Sequence, residues 1–199
     1  MSSRHRRSYR LRGYSYALPN PYYITICTYK RQRLFGEIRE GEVDLSAIGR
    51  IVDQEWKETE IKRPEVALDE YVIMPDHVHL ILWIVSVDDS RMGMMHHGMD
   101  MMHHVHTLPD DPEINPITID PNYVRQFGEP VPRSVSSIIG AFKAAVSRRV
   151  NREQPGTGQI WQPRFYDHVV RDVDDLIRIR QYIRDNPGRW VNDPWGDNA

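Results

Sequence analysis

The sequence predicts an α+β domain, an antiparallel sheet with helices on one face plus a further C-terminal helix, and three observations predict it. Apolar and β-branched runs of strand length recur between proline and glycine punctuation. Between them lie stretches in which apolar residues recur at three and four positions, the period of an amphipathic helix. Finally, Pro75 and Asp76 sit between two long strand-like runs, the chemistry of a tight turn joining antiparallel neighbours.

Residues 1–20 carry Arg, Ser, Tyr and Gly without periodicity and read as a basic, flexible arm, in which Tyr14 and Tyr16 could stack on unpaired bases. Residues 22–29, after Pro19 and Pro21, read as the first strand. Leu45, Ile48, Val52 and Trp56 give a helix beginning near Asp44. A second strand spans 66–74, and a third returns over 77–85. Ser134 is an N-cap for a helix with the stripe Val135, Ile138, Ile139, Phe142, Val146 and Val150 and a basic outer side. Residues 159–171 read as a fourth, interrupted strand with Pro163 at a bulge or edge. Asp172 caps the last helix, Leu176, Ile179 and Ile183 face its core, and Asn186, Pro187 and Gly188 stop it. The order β-α-β-β-α-β plus one helix is the ferredoxin-like, split-βαβ arrangement.

Composition bounds the rest. With 199 residues and 40% hydrophobic content the chain builds one core, placed at 21–190 with a tail at 191–199, and Trp190 at the domain's end and Trp195 in the tail are expected to pack back on it. Residues 86–132 interrupt that domain as a low-complexity insertion, holding six of the eight methionines and five of the nine histidines within 92–106. Thioethers and imidazoles suit copper or nickel, so a metal-handling role is one reading of that tract. No apolar run reaches the length of a membrane span and no secretory pattern opens the chain, so a cytoplasmic, nucleoid-associated protein is expected. The single cysteine, Cys27, excludes an intramolecular disulfide and reads as a small buried hydrophobe. The formal charge of -2 hides an asymmetry: residues 1–35 contain no Asp or Glu, whereas 86–132 hold eight acidic residues against Arg91 and Arg125. Such a basic arm suits phosphate contact.

Two constellations carry chemistry. In YVIMPDHVHLILW, His77 and His79 share one face of a strand, where two imidazoles can hold one cation, while Val78, Leu80, Leu82 and Ile84 fill the other. On the last helix Tyr182 and Asn186 stand four residues apart, beside the apolar stripe, and present a phenol with an amide oxygen. Together these groups suit metal-assisted phosphodiester cleavage with a tyrosine nucleophile. A histidine pair on a strand is by itself commoner as packing than as a ligand set.

The motif MPDHVHLIL resembles the histidine-hydrophobic-histidine signature of single-strand DNA endonucleases. Three further segments follow the same order, YYITICTYKRQRLFGEI, RSVSSIIGAFKAAVSRRVN and IWQPRFYDHVVRDVDDLIRIRQYIRDNPGRW. Together they resemble the REP-associated tyrosine transposases and related single-tyrosine insertion-sequence transposases. The resemblance implies that His77 and His79 are metal ligands, Tyr182 the nucleophile and Asn186 the place of a third ligand amide. It implies Mg2+ or Mn2+ as the cofactor, hairpin-bearing single-stranded DNA as the partner, a 5' phosphotyrosine intermediate, and a monomer or homodimer. Arg6, Arg7, Arg31, Lys143 and Arg149 are the candidate phosphate contacts. Asp76 stands where the family resemblance suggests asparagine, and Pro163 where it suggests a basic residue. A non-cleaving hairpin-binding module is the alternative.

Overall fold

β-Branched and aromatic residues extend the chain into β1 (Asn20–Cys27) of the computed structural model, which describes residues 10–86, 114–118 and 131–190. A hairpin of β2 (Gly36–Arg39) and β3 (Glu42–Leu45) follows, then α1 (Ala47–Lys62), β4 (Val66–Met74) and β5 (His77–Ile84). After these come α2 (Val135–Glu153), β6 (Tyr166–Val169) and α3 (Val173–Trp190). Four strands form one sheet in the order β4-β5-β1-β6, antiparallel at every pairing. Apart from the added hairpin, this is the expected arrangement.

Every residue of β5 is buried, because both faces of the sheet are covered. Val78, Leu80, Leu82 and Ile84 join Ile24 and Ile26 of β1, Trp56 of α1, and Ile138, Phe142 and Val146 of α2 in one core. Ile81 and Trp83 join Leu176, Ile179 and Ile183 of α3 in a second core on the opposite face. Each such buried side chain stabilises the fold by about 1.5–3 kcal/mol, so α3 is held by the sheet and not by helix propensity alone. Among the described residues no helix is long and apolar enough to cross a membrane.

Polar contacts fix where α3 lies. Asp172 accepts from the Asp175 amide at 2.8 Å and caps the helix start, as expected. Arg180 donates through Nε and Nη2 to the two carboxylate oxygens of Asp69, at 2.9 and 2.7 Å, and Trp83 Nε1 donates to the same carboxylate at 2.9 Å. Arg184 pairs with Glu70. Successive residues of a regular strand point to opposite faces, yet Asp69 and Glu70 both reach α3. The register of β4 against β5 shifts between Leu68 and Tyr71, and that irregularity turns both carboxylates to one helix.

Several elements differ from the sequence reading. The first helix starts at Ala47 under a Ser46 cap, and Leu45 belongs to β3 instead. The hairpin itself turns through Glu40 and Gly41, both at positive φ. The fourth strand is only Tyr166–Val169, since the preceding stretch leaves the sheet after a single bridge from Trp161 to Thr28. Pro187 does not stop α3: a proline this near a helix end removes one backbone bond, and Trp190 packing holds the last turn. Residues 10–20 are not a free arm, because Tyr14 is in the core and Arg10 bridges Asp167 and Ser136. Cys27 is half-buried, and its Sγ accepts from Arg31 Nη1 at 3.0 Å.

Candidate active site

The strand period delivers what the histidine spacing predicts. His77 and His79 lie on the α3 face of β5, 6% and 2% exposed, with their Nε2 atoms 3.0 Å apart. Both rings are fixed from behind. His77 Nδ1 is 2.6 Å from Asp76 Oδ1, and Arg31 Nε is 3.1 Å from Asp76 Oδ2. His79 Nδ1 lies 2.7 Å from the Tyr23 hydroxyl and 2.9 Å from Thr25 Oγ1. These partners come from β1, the neighbouring strand, where Thr25 pairs with His79 in register. Burial, then the proximity of His77 and of Arg31, drives the His79 pKa well below that of a free histidine, so its ring is neutral. Burial likewise raises the Tyr23 pKa, keeping its hydroxyl protonated.

Helix α3 lays a stripe of side chains along this pair. Tyr182 sets its ring edge-on to His79 with centroids 5.3 Å apart, and one turn before the helix end Asn186 is buried. Trp190, a further turn on, sets its ring tilted against His77 with centroids 5.7 Å apart, and the Arg33 guanidinium lies over the Trp190 ring at 5.7 Å. Spacing of four residues puts all three on one face. Among the described residues the Asn186 amide has no hydrogen-bond partner. The structure thus brings His77, His79 and Tyr182 to one place, with Arg31 held beside them by Asp76, and sets Asn186 on the same helix face between Tyr182 and Trp190.

A divalent cation fits these groups. Two imidazoles converge through Nε2 while their Nδ1 atoms are occupied, the usual arrangement of histidine ligands. Their 3.0 Å separation is a hydrogen-bond length in the free protein, and also the edge of an octahedron whose ligand bonds are about 2.1 Å. Among the described residues no group of three or more His, Cys, Asp or Glu side chains converges on one point. The protein would therefore supply few ligands, leaving the remainder to water and substrate oxygen.

Other predicted residues lie elsewhere. Lys143 and Arg149 are on α2, across the sheet from the histidines. Lys143 donates to the carbonyls of Gln162 and Pro163 at 2.6 and 3.3 Å, and burial lowers its pKa. Arg149 meets Glu153, Gln54 and Glu55. Arg6, Arg7, Trp195 and the 92–106 tract lie outside the described residues. His168, at the end of the segment Phe165-Tyr166-Asp167-His168 that also offers a tyrosine and a histidine, is spent on Asp175 at 2.8 Å, so it takes a structural part. Tyr14 is 3% exposed and hydrogen-bonded to Asn20, so its ring is closed to stacking. Sequence reasoning missed Tyr23, Thr25 and Trp190; the period-two spacing of Tyr23 and Thr25 was a signal for the first two.

Comparison with known proteins bears on this geometry. A family model described as "Transposase IS200 like" matches residues 109–186. A protein of Haemophilus influenzae described only as uncharacterised is 30% identical over 189 residues, covering 95% of this chain and 92% of its own. Among solved structures, a REP-associated tyrosine transposase bound to a REP hairpin superposes with TM-score 0.52 at 19% identity, covering 98% of this chain and 81% of that one. A transposase-like protein of Deinococcus radiodurans gives 0.39 at 18% identity, over 88% and 95% of the two chains.

Proposed function

Because the chain belongs to the IS200-like transposase family, we propose that it cuts and rejoins single-stranded DNA beside a hairpin, with Tyr182 as the nucleophile. The observation that carries this reading is the Tyr182 ring 5.3 Å from His79, on a helix locked to the same sheet face. The Tyr182 oxygen gives up its proton and attacks phosphorus, a phosphotyrosine bond to the 5' side forms, and the bond to the 3' oxygen breaks, that oxygen taking up a proton and leaving as a 3' hydroxyl. Rejoining reverses those two bonds with another 3' hydroxyl. His77, His79 and Asn186 would hold Mg2+ or Mn2+, which when bound polarises a non-bridging phosphate oxygen and offsets charge in the transition state. Asp76, Tyr23 and Thr25 orient the two rings, and Trp190 lies against His77.

The DNA partner follows from the family and from the solved relative, which is bound to a REP hairpin; a hairpin of that kind is the proposed substrate here. Phosphate contacts are assigned to Arg31 beside the site and to Arg6 and Arg7. Lys143 and Arg149 could contribute only by giving up protein partners. The test is a hairpin-bearing single-stranded oligonucleotide incubated with Mg2+ or Mn2+ and run on a denaturing gel. A covalent protein-DNA band is expected, absent with chelator and absent in Tyr182→Phe. A band that survives Tyr182→Phe removes the tyrosine from this role, and binding without cleavage would favour the non-cleaving module.

A further inference from the structure

Strand β6 lies at an edge of the sheet, where its described partner is β1. Residues directly opposite in antiparallel strands share a face, so the pairings of Thr25 with His79 and with Tyr166 set all three in one row on the α3 face. Two strand spacings separate the ends of that row, ~10 Å between the Cα atoms of His79 and Tyr166. Asp167, one residue on, turns to the other face and meets Arg10. Tyr166 is 40% exposed and is the one aromatic among the exposed large hydrophobic side chains of the described residues. Its ring is held in place: Tyr23 stands between it and the site, with centroids 6.2 Å from Tyr166, 5.7 Å from His79 and 6.4 Å from Tyr182. The Tyr23–Tyr166 contact is edge-on at 69°, so whichever ring supplies the edge, at least one face of Tyr166 is left uncovered by Tyr23.

An exposed ring of fixed orientation, on the same row as His79 and in one aromatic cluster with Tyr182, has the chemistry of a stacking platform for a nucleobase. We infer that Tyr166 is a positioning residue that stacks the base of a nucleotide next to the scissile phosphate, and so sets which phosphate is presented to Tyr182. The inference rests on the cleavage reading given above and adds to it a base subsite on the β6 flank. Stacking fits this flank better than hydrogen-bonded readout. His168, the next residue on this face of β6, is bonded to Asp175, and Thr25 is buried against His79. A π-face accepts any base, so the subsite fixes position and not sequence.

The test pairs a change in the full chain with a change in the substrate. The parent, with Mn2+, first maps the cut on a hairpin-bearing single-stranded oligonucleotide, and the nucleotides on either side of the cut are then made abasic one at a time. Single-turnover formation of the covalent band at saturating protein gives the rate. Tyr166→Ala should lower that rate about 5- to 150-fold, the worth of one base stack. One abasic position should lower the parent's rate by a similar factor. On that substrate Tyr166→Ala should cost less than about twofold more, because both changes remove the same contact, an outcome that a merely structural tyrosine would not give. Tyr166→Phe, which keeps the ring face, should restore cutting to near the parent's rate. Should Tyr166→Ala not fold, Tyr166→Leu takes its place, and a parent indifferent to every abasic position overturns the stack without any variant. A folded Tyr166→Ala that cuts as fast as the parent, losses that multiply on every abasic substrate, or a Tyr166→Phe as slow as Tyr166→Ala also overturns it. A parent that forms no covalent band overturns the cleavage reading and the subsite with it, whereas a parent that cuts without need of Tyr166 overturns the subsite alone.

Discussion

Replacing Asp69 by alanine should loosen the tyrosine helix and cost about 3 kcal/mol. Asp69 is 5% exposed at its side chain and takes four donors, two from Arg180, one from Trp83 and one from the Glu70 amide. Breaking a buried ion pair from one side costs roughly 3–5 kcal/mol, and the orphaned indole N–H adds to it. Arg180 is 25% exposed and recovers part of its hydration, which brings the total to the lower end of that range, about 3 kcal/mol. For a chain of this length that is a fall in melting temperature of about 6–12 °C, read by calorimetry. Removing both partners in Asp69→Asn/Arg180→Met should cost less than Asp69→Ala, because no charge is left buried. A loss under about 1 kcal/mol for Asp69→Ala would refute the claim that this carboxylate anchors α3.

Further outcomes follow from other sites. Gly49→Ala should destabilise by about 1–3 kcal/mol, since a Cβ there would stand 2.0 Å from the Phe35 carbonyl oxygen and push α1 from the hairpin; urea titration checks it. His79 stays neutral when folded while the unfolded histidine gains a proton below about pH 6.5, so wild-type stability should fall as pH drops through that value. His79→Gln should flatten that slope in pH-dependent melting. Arg149→Met should leave hairpin affinity and its salt slope unchanged, its guanidinium being held by Gln54, Glu55 and Glu153; a slope reduced by about 1 would make it a phosphate contact. His77→Ala should abolish the covalent band while hairpin binding, measured by gel shift, persists.

Much of this was legible in the sequence because it depended on short-range periods. Alternation along 77–84 predicted which residues of β5 face the histidine core, and Ser134 and Asp172 announced two helix starts by the chemistry of capping. The β2-β3 hairpin was not legible. Its turn uses Glu40 and Gly41 at positive φ, and glutamate is a poor marker where asparagine or aspartate would signal such a turn. On α2, a charged outer face does not reveal that Arg149 meets a glutamate 94 positions earlier in the fold. Arg31 was read as a DNA contact, and its pairing with Asp76 through a turn of two left-handed residues, Lys30 and Arg31, has no sequence signature. Pro187 looked like a terminator because a local rule does not see Trp190 packing on His77 from the same helix.

The irregularity in β4 acts as an index mark for the tyrosine. It turns Asp69 and Glu70 to one side, where they match Arg180 and Arg184, and Tyr182 lies midway between those two arginines. Sliding the helix by one turn would move it about 5.4 Å and bring Arg178 or Asn186 to the place of the phenol. Insertions or deletions at 69–70 would therefore reset which side chain meets His79 without touching either histidine. A two-residue flaw in an outer strand thus sets the vernier of the site.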